Sequence, residues 1–299
     1  MLFCKNKLSL LIGFSLLITF ASRSPLIFAQ QTPLPETTEV TITETTQEPA
    51  EGAIREQGTT AQEQTLLLTT YRGQLETYRA KEKTYQVAQE QLANLSTLAA
   101  LEEAVQATKQ VMVARDQVLQ TYFKLLRLKL IDTHGVPLTD KTYALNELAE
   151  LEKNLTTHEQ EVNQVNDRFT LAQSSENFAY LADQFESATN RALCLITLGN
   201  LQTVFDRTSA LIPEVETKIT DKTTGFELAK KQRALTELKL LSTDTKAQLN
   251  TIYTQFFTTK DNQSKKFSNS DLVQLSTKLQ PVYAQMNQMH QFIDEVTKI

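Results

Sequence analysis

Apolar residues recur at three- and four-residue spacing from Leu68 to Val296. A helix with 3.6 residues per turn gathers such positions on one face, so the pattern predicts helices that pack along apolar stripes. One seam runs through Tyr71, Leu75, Tyr78, Tyr85 and Leu92, and Leu98, Val105, Met112, Leu119 and Leu126 continue it one residue out of step. Such drift is expected where a helix outruns a seven-residue repeat, so both sets fit one helix over about residues 64–132, roughly 100 Å long at ~1.5 Å per residue. His134-Gly135-Val136-Pro137 ends it, because glycine accepts the left-handed backbone of a helix C-terminus and proline cannot continue the helix. Thr139 or Asp140 is placed to cap the next helix.

That next segment carries a heptad through Leu148, Leu151, Leu155, His158, Val162, Val165, Phe169 and Ala172. The short loop before it implies an antiparallel hairpin. The pattern then passes Ser174-Ser175, a candidate break, and goes on through Phe178, Leu181, Phe185, Ala188, Ala192 and Leu195, with Gly199 and Pro213 read as kinks. A further stretch from about Glu214 to Thr258 includes Phe226, Leu238, Leu241, Leu249, Ile252 and Phe256, with Gly225 as its weak point, and residues 260–269 read as a polar loop.

The last helix starts at Ser268 or Ser270, with Asp271 three residues after Ser268 in the manner of a capping box. Its seam is Leu272, Leu275, Leu279, Val282, Met286, Met289, Ile293 and Val296. These eight form the candidate interaction seam, since seams in excess of what one hairpin covers call for self-association or a protein partner's helix. The expected fold is all-α: an elongated antiparallel coiled coil or helical bundle of about four to five long helices over residues 64–299, preceded by a disordered tether.

Composition sharpens this. Of 7 glycines, Gly13, Gly52 and Gly58 lie near the start, leaving Gly73, Gly135, Gly199 and Gly225 for the folded part. Phosphate-binding loops and tight β-hairpins both draw on glycine, so four scattered ones argue against nucleotide-binding and sandwich folds. Lys5 and Lys7 precede a 14-residue apolar run from Leu8 to Ala21, and Ala29 offers a small residue ahead of Gln30. Residues 1–29 therefore read as a signal peptide and the chain as exported; an uncleaved anchor, which needs ~20 apolar residues, is the alternative, and only then is a membrane contact expected. Residues 30–63, rich in Thr, Glu, Gln and Pro, read as a disordered tether. Removing residues 1–29 moves the net charge from −5 to −8, which makes nucleic acid a poor partner.

Candidate chemistry is sparse. None of His134, His158 and His290 stands in a Glu-x-x-His motif, so neither metal nor cofactor is expected. His158 occupies an apolar seam position, where a polar residue packs and fixes register. No Gly-x-Ser-x-Gly elbow is present, and Cys194, the one cysteine after residue 29, stands in an apolar run as a buried small hydrophobe. The expected function is therefore a non-enzymatic scaffold or interaction protein of the cell envelope or exterior. The alternative rests on residues 192–201, apolar all round and loosely similar to the hydrophobic element of helical pore-forming toxins, which implies a membrane-active effector.

Overall fold

The structure, a computed structural model, describes residues 50–222, 225–257 and 265–297. The segment read as a signal peptide and the tether up to residue 49 lie outside the described residues. Seven helices are described: α1 (Ala50–Leu95), α2 (Leu98–Ile131), α3 (Leu138–Gln164), α4 (Arg168–Ala210), α5 (Ile212–Lys222), α6 (Phe226–Phe257) and α7 (Asn269–Thr297). No strand occurs among the described residues, and the chain from Ala50 onward is a helical bundle. The first helix begins fourteen residues ahead of the expected boundary, and Ala50, Glu51, Ala53, Arg55, Glu56 and Gln57 are good helix formers.

The largest correction concerns the single 64–132 helix. The chain reverses at Ser96-Thr97, so the one-residue offset between the two seams marks a turn and not a drift. Ser96 takes φ +49°, its amide closes α1 on Leu92 O at 3.0 Å, and Thr97 caps α2 by accepting from the Ala100 amide at 3.2 Å. Gln64 reaches Asp132, Tyr71 meets Tyr122 and Lys81 reaches Gln110, so α1 and α2 run antiparallel. Small residues Ala88, Ala104 and Ala107 bring the two backbones together near the turn, with Tyr85 and Leu92 packed over them.

The α2–α3 hairpin forms as expected, and lysines borrowed from neighbouring helices satisfy its exposed helix ends. Lys141 Nζ donates to Ile131 O and Thr133 O at the end of α2, and Lys109 Nζ to Asn163 O and Val165 O at the end of α3. A cation there completes the carbonyls left unpaired at a helix C-terminus and faces the negative end of its dipole. The heptad does not continue through Phe169: α3 stops at Gln164, Asp167 caps α4 by accepting from the Thr170 amide at 2.9 Å, and the register shifts so that Leu171 is buried while Phe169 is 81% exposed. A turn that adds residues between two helices resets which spacing faces the core.

Helix α4 then runs uninterrupted past both Ser174-Ser175 and Gly199. Gly199 is no kink. A Cβ there would lie 2.3 Å from Thr133 Cγ2 and 2.5 Å from His134 O, so the missing side chain is what lets the α2–α3 loop rest on α4. Gly135 in that loop has φ +76° and packs back on Gln202. Pro213 stands in the first turn of α5, where its missing amide costs nothing. Gly225, at φ +69°, precedes α6 as the weak point foreseen there.

The second half of α4 joins α5, α6 and α7. Ser209 meets Ser242, Lys239 meets Glu216, and Thr245 contacts Gln285 and Met289, which orders these helices as antiparallel neighbours. Ser268 and Asp271 form one half of the foreseen capping box: both the amide and the hydroxyl of Ser268 donate to Asp271 Oδ2 at 2.8 Å, while the Asp271 amide donates to the Ser268 carbonyl oxygen. The polar loop is only partly polar. Residues 258–264 lie outside the described residues, and Phe267, 2% exposed, stacks on Phe257 at 5.2 Å.

Candidate functional site

Two buried polar clusters, one on each half of α4, stand out from the apolar packing. The first lies where α2, α3 and the start of α4 meet. Asp116 follows Met112 and precedes Leu119 and Phe123 on the buried stripe of α2, so its carboxylate points into the core and is fully buried. His158 occupies the equivalent stripe on α3 and is 3% exposed. Its Nδ1 lies 2.5 Å from Asp116 Oδ2 and its Nε2 3.0 Å from the Ser174 carbonyl oxygen of α4. Arg115 donates to the other carboxylate oxygen of Asp116 from Nε and Nη2, at 3.3 and 3.2 Å, and lays its guanidinium over the Phe178 ring. Phe178 also faces His158 and Phe185, which in turn meets Phe123. Burial pulls the His158 pKa down, but the hydrogen bond and negative charge of Asp116, with the Ser174 carbonyl, outweigh it and hold the imidazolium above its ordinary range.

The second cluster ties α3 and α4 to the entry of α7. Arg191 Nε donates to Glu147 Oε2 at 3.0 Å, and Arg191 Nη2 donates to Lys265 O at 2.8 Å. Its guanidinium centre lies 4.8 Å from the ring centroids of both Tyr143 and Phe267. Lys265 Nζ pairs with Asp271 at 3.1 Å and rests over Phe256 and Phe267, while the Phe267 amide donates to Ser187 Oγ. Tyr253, stacked on Phe257, donates its hydroxyl to Asp140. Burial raises the Glu147 pKa against the pull of Arg191. Nearby Asn190 is wholly buried, with neither side-chain amide atom hydrogen-bonded.

The residues singled out from the sequence fall as follows. Leu275, Leu279, Val282, Met286, Met289 and Val296 are buried and Leu272 and Ile293 half-buried, so the candidate interaction seam is occupied within the chain by the neighbouring helices. Residues 192–201 sit where helices converge: Ala192, Cys194 and Leu195 are fully buried. Burial pushes the Cys194 thiol up to about 12, which leaves it protonated and unreactive. His134 and His290 are exposed. Among the described residues no group of His, Cys, Asp and Glu is arranged to hold a metal ion, and no helix is long and apolar enough to cross a membrane. A shallow groove of about 360 Å³ between α6 and α7, lined by Ala247, Thr251, Ile252, Gln255, Lys278 and Pro281, gathers no set of converging polar groups.

Neither Asp116 nor Arg191 and Glu147 emerged from periodicity. Asp116 had a signal, a charge inside an apolar stripe; Arg191 had none, since its partners lie 44 and 74 residues away. Comparison with protein-family models, with curated proteins and with solved structures finds no match for this chain.

Proposed function

We propose that this chain is an exported, non-enzymatic helical scaffold or interaction protein of the cell envelope or exterior. The observation that carries the reading is the state of α1. Over residues 62–95 only Ala88 is buried, because α1 leans on α2 by a single stripe and leaves the rest of its surface to solvent. A long helix held on one side by a hairpin, with an outer surface of Thr, Gln, Arg and Glu among which Leu66, Leu68, Val87 and Leu95 are exposed, suits recognition by another protein better than it suits catalysis, which needs an enclosed pocket. Phe169 and Tyr180, each 81% exposed and eleven residues apart on one face of α4, add two aromatic anchors of the kind that dominate protein interfaces. The charged start, short apolar run and Ala29 support export.

The test is fractionation of the producing cell followed by N-terminal sequencing and sizing. The expected result is protein outside the cytoplasm, beginning near Gln30, that migrates in a complex larger than itself; Phe169→Ser with Tyr180→Ser should shift it toward the free size. A cytoplasmic chain that keeps Met1, or one that migrates alone in every fraction, overturns the proposal.

A further inference from the structure

A neutral imidazole has one N–H donor and one acceptor nitrogen. At His158 both nitrogens face acceptors, the Asp116 carboxylate at 2.5 Å and the Ser174 carbonyl at 3.0 Å, in a site closed to solvent. Only the doubly protonated ring donates to both. We infer that His158 is a proton-operated latch: as an imidazolium it clips the first half of α4 to the α2–α3 hairpin, and when it loses a proton as the pH rises that clip opens.

The direction follows from the neighbours. From α2, Asp116 supplies the negative charge that pairs with the ring and Arg115 a positive charge that opposes it, with the Asp116 carboxylate bonded to both. From α1, Tyr78 lies near Arg115, with Glu82 beside it. On α3 itself, Glu159 is engaged by Gln117 and Gln120 of α2. Helix α4 presents the Ser174 carbonyl and the Phe178 ring. On deprotonation the remaining proton stays toward the carboxylate, the stronger acceptor, so a nitrogen lone pair is left against the carbonyl oxygen of Ser174. The contact that turns repulsive is therefore the one to α4. The Arg115–Asp116 pair within α2 is retained, so the change is confined to the α4 side.

The sign is fixed by linkage. Because the folded value lies above the unfolded 6.5, the stabilisation is complete below pH 6.5 and is lost as the pH rises through the folded value. Opening frees the first turns of α4, between Asp167 and about Phe178, and unseats Phe178 from Arg115 and His158.

The test uses the full chain labelled at its histidines and followed by NMR, with His158→Gln identifying the third resonance, alongside amide exchange corrected for the intrinsic pH dependence. His158 is expected to titrate above pH 6.5, and exchange at residues 171–178 to rise on the same curve, about tenfold for each pH unit by which that titration exceeds 6.5. Residues 191–205 should keep their protection. In His158→Gln, exchange at 171–178 should be fast at every pH from about 6 to 9. Titration at or below 6.5, or titration above it without any change at 171–178, overturns the latch. The wild-type curve decides alone if the variant does not fold.

Discussion

The two halves of α4 solve one problem with different chemistry. Each buries an arginine beside an aromatic ring and a carboxylate: Arg115 with Phe178 and Asp116, Arg191 with Phe267 and Glu147. Asp116 is fully buried and shared with a histidine, whereas Glu147 keeps 24% of its side chain exposed and its arginine also takes a backbone carbonyl. The first cluster thus depends on one charge balance in a dry site, and the second spreads its load over a carboxylate, a carbonyl and two rings. A histidine belongs only to the first. Similar residue types therefore give a joint that holds a histidine at one half of α4 and a joint without one at the other.

The most severe way to break this comparison is to remove the second region's core. Leu279→Asp with Val282→Asp places two carboxylates at fully buried positions and costs several kcal/mol, a large share of a typical ~5–15. The expected result is loss of the cooperative thermal transition by circular dichroism; an unchanged melt means that this seam is not buried in solution.

Asp116→Ala is the next largest. It strands Arg115 and His158 and should cost about 3–5 kcal/mol, whereas Glu147→Ala, at a partly solvated site, should cost less than half of that. Denaturant midpoints of the two variants decide it, and equal costs would erase the distinction drawn between the clusters. The acid side adds a sign. Glu147 is raised above 4.5, so its contribution to stability is fully present below pH 4.5 and is lost as the pH rises through its folded value.

Smaller effects come from two glycines. Gly199→Ala must push the Thr133 side chain and the His134 backbone away from α4 and is expected to destabilise by about 1–3 kcal/mol. Gly73→Ala, in α1 with nothing within 4 Å, should stabilise by about 0.5–1 kcal/mol. Melting temperatures moving in opposite directions are the readout; a shift of the same sign in both means that space around Gly199 is not what selects it.

These contrasts also show what the chain discloses. The last helix was legible throughout, because a capping box and an eight-residue seam agree and both are local. The α1–α2 reversal was not, because turns are sought at glycine or proline and this one puts Ser96 at φ +49°, a conformation rarely taken by other residues. The α3–α4 junction had Asp167 as a cap, but its apolar spacing mimicked a continuing heptad through Phe169. His158 was correctly a seam residue, yet periodicity ranks positions by hydrophobicity and cannot say that a charged residue on the next helix occupies the matching place. Arg191 was the least legible, since its role arises only when a distant loop folds back on it.

The α1–α2 hairpin has a mechanical consequence. Gln64, fourteen residues into α1, lies beside Asp132 at the end of α2, so tension on the chain ahead of that contact loads the pairing one turn at a time from there toward Ser96. Peeling of this kind breaks few contacts at once, and over residues 62–95 only Ala88 is buried deeply enough to resist it strongly. The α2–α3–α4 packing beyond carries its polar cluster across three helices and yields later. A pull from the N-terminal side would pay out the length of α1, about 70 Å as a helix and more when extended, before it reached the polar cluster that joins the three helices behind it.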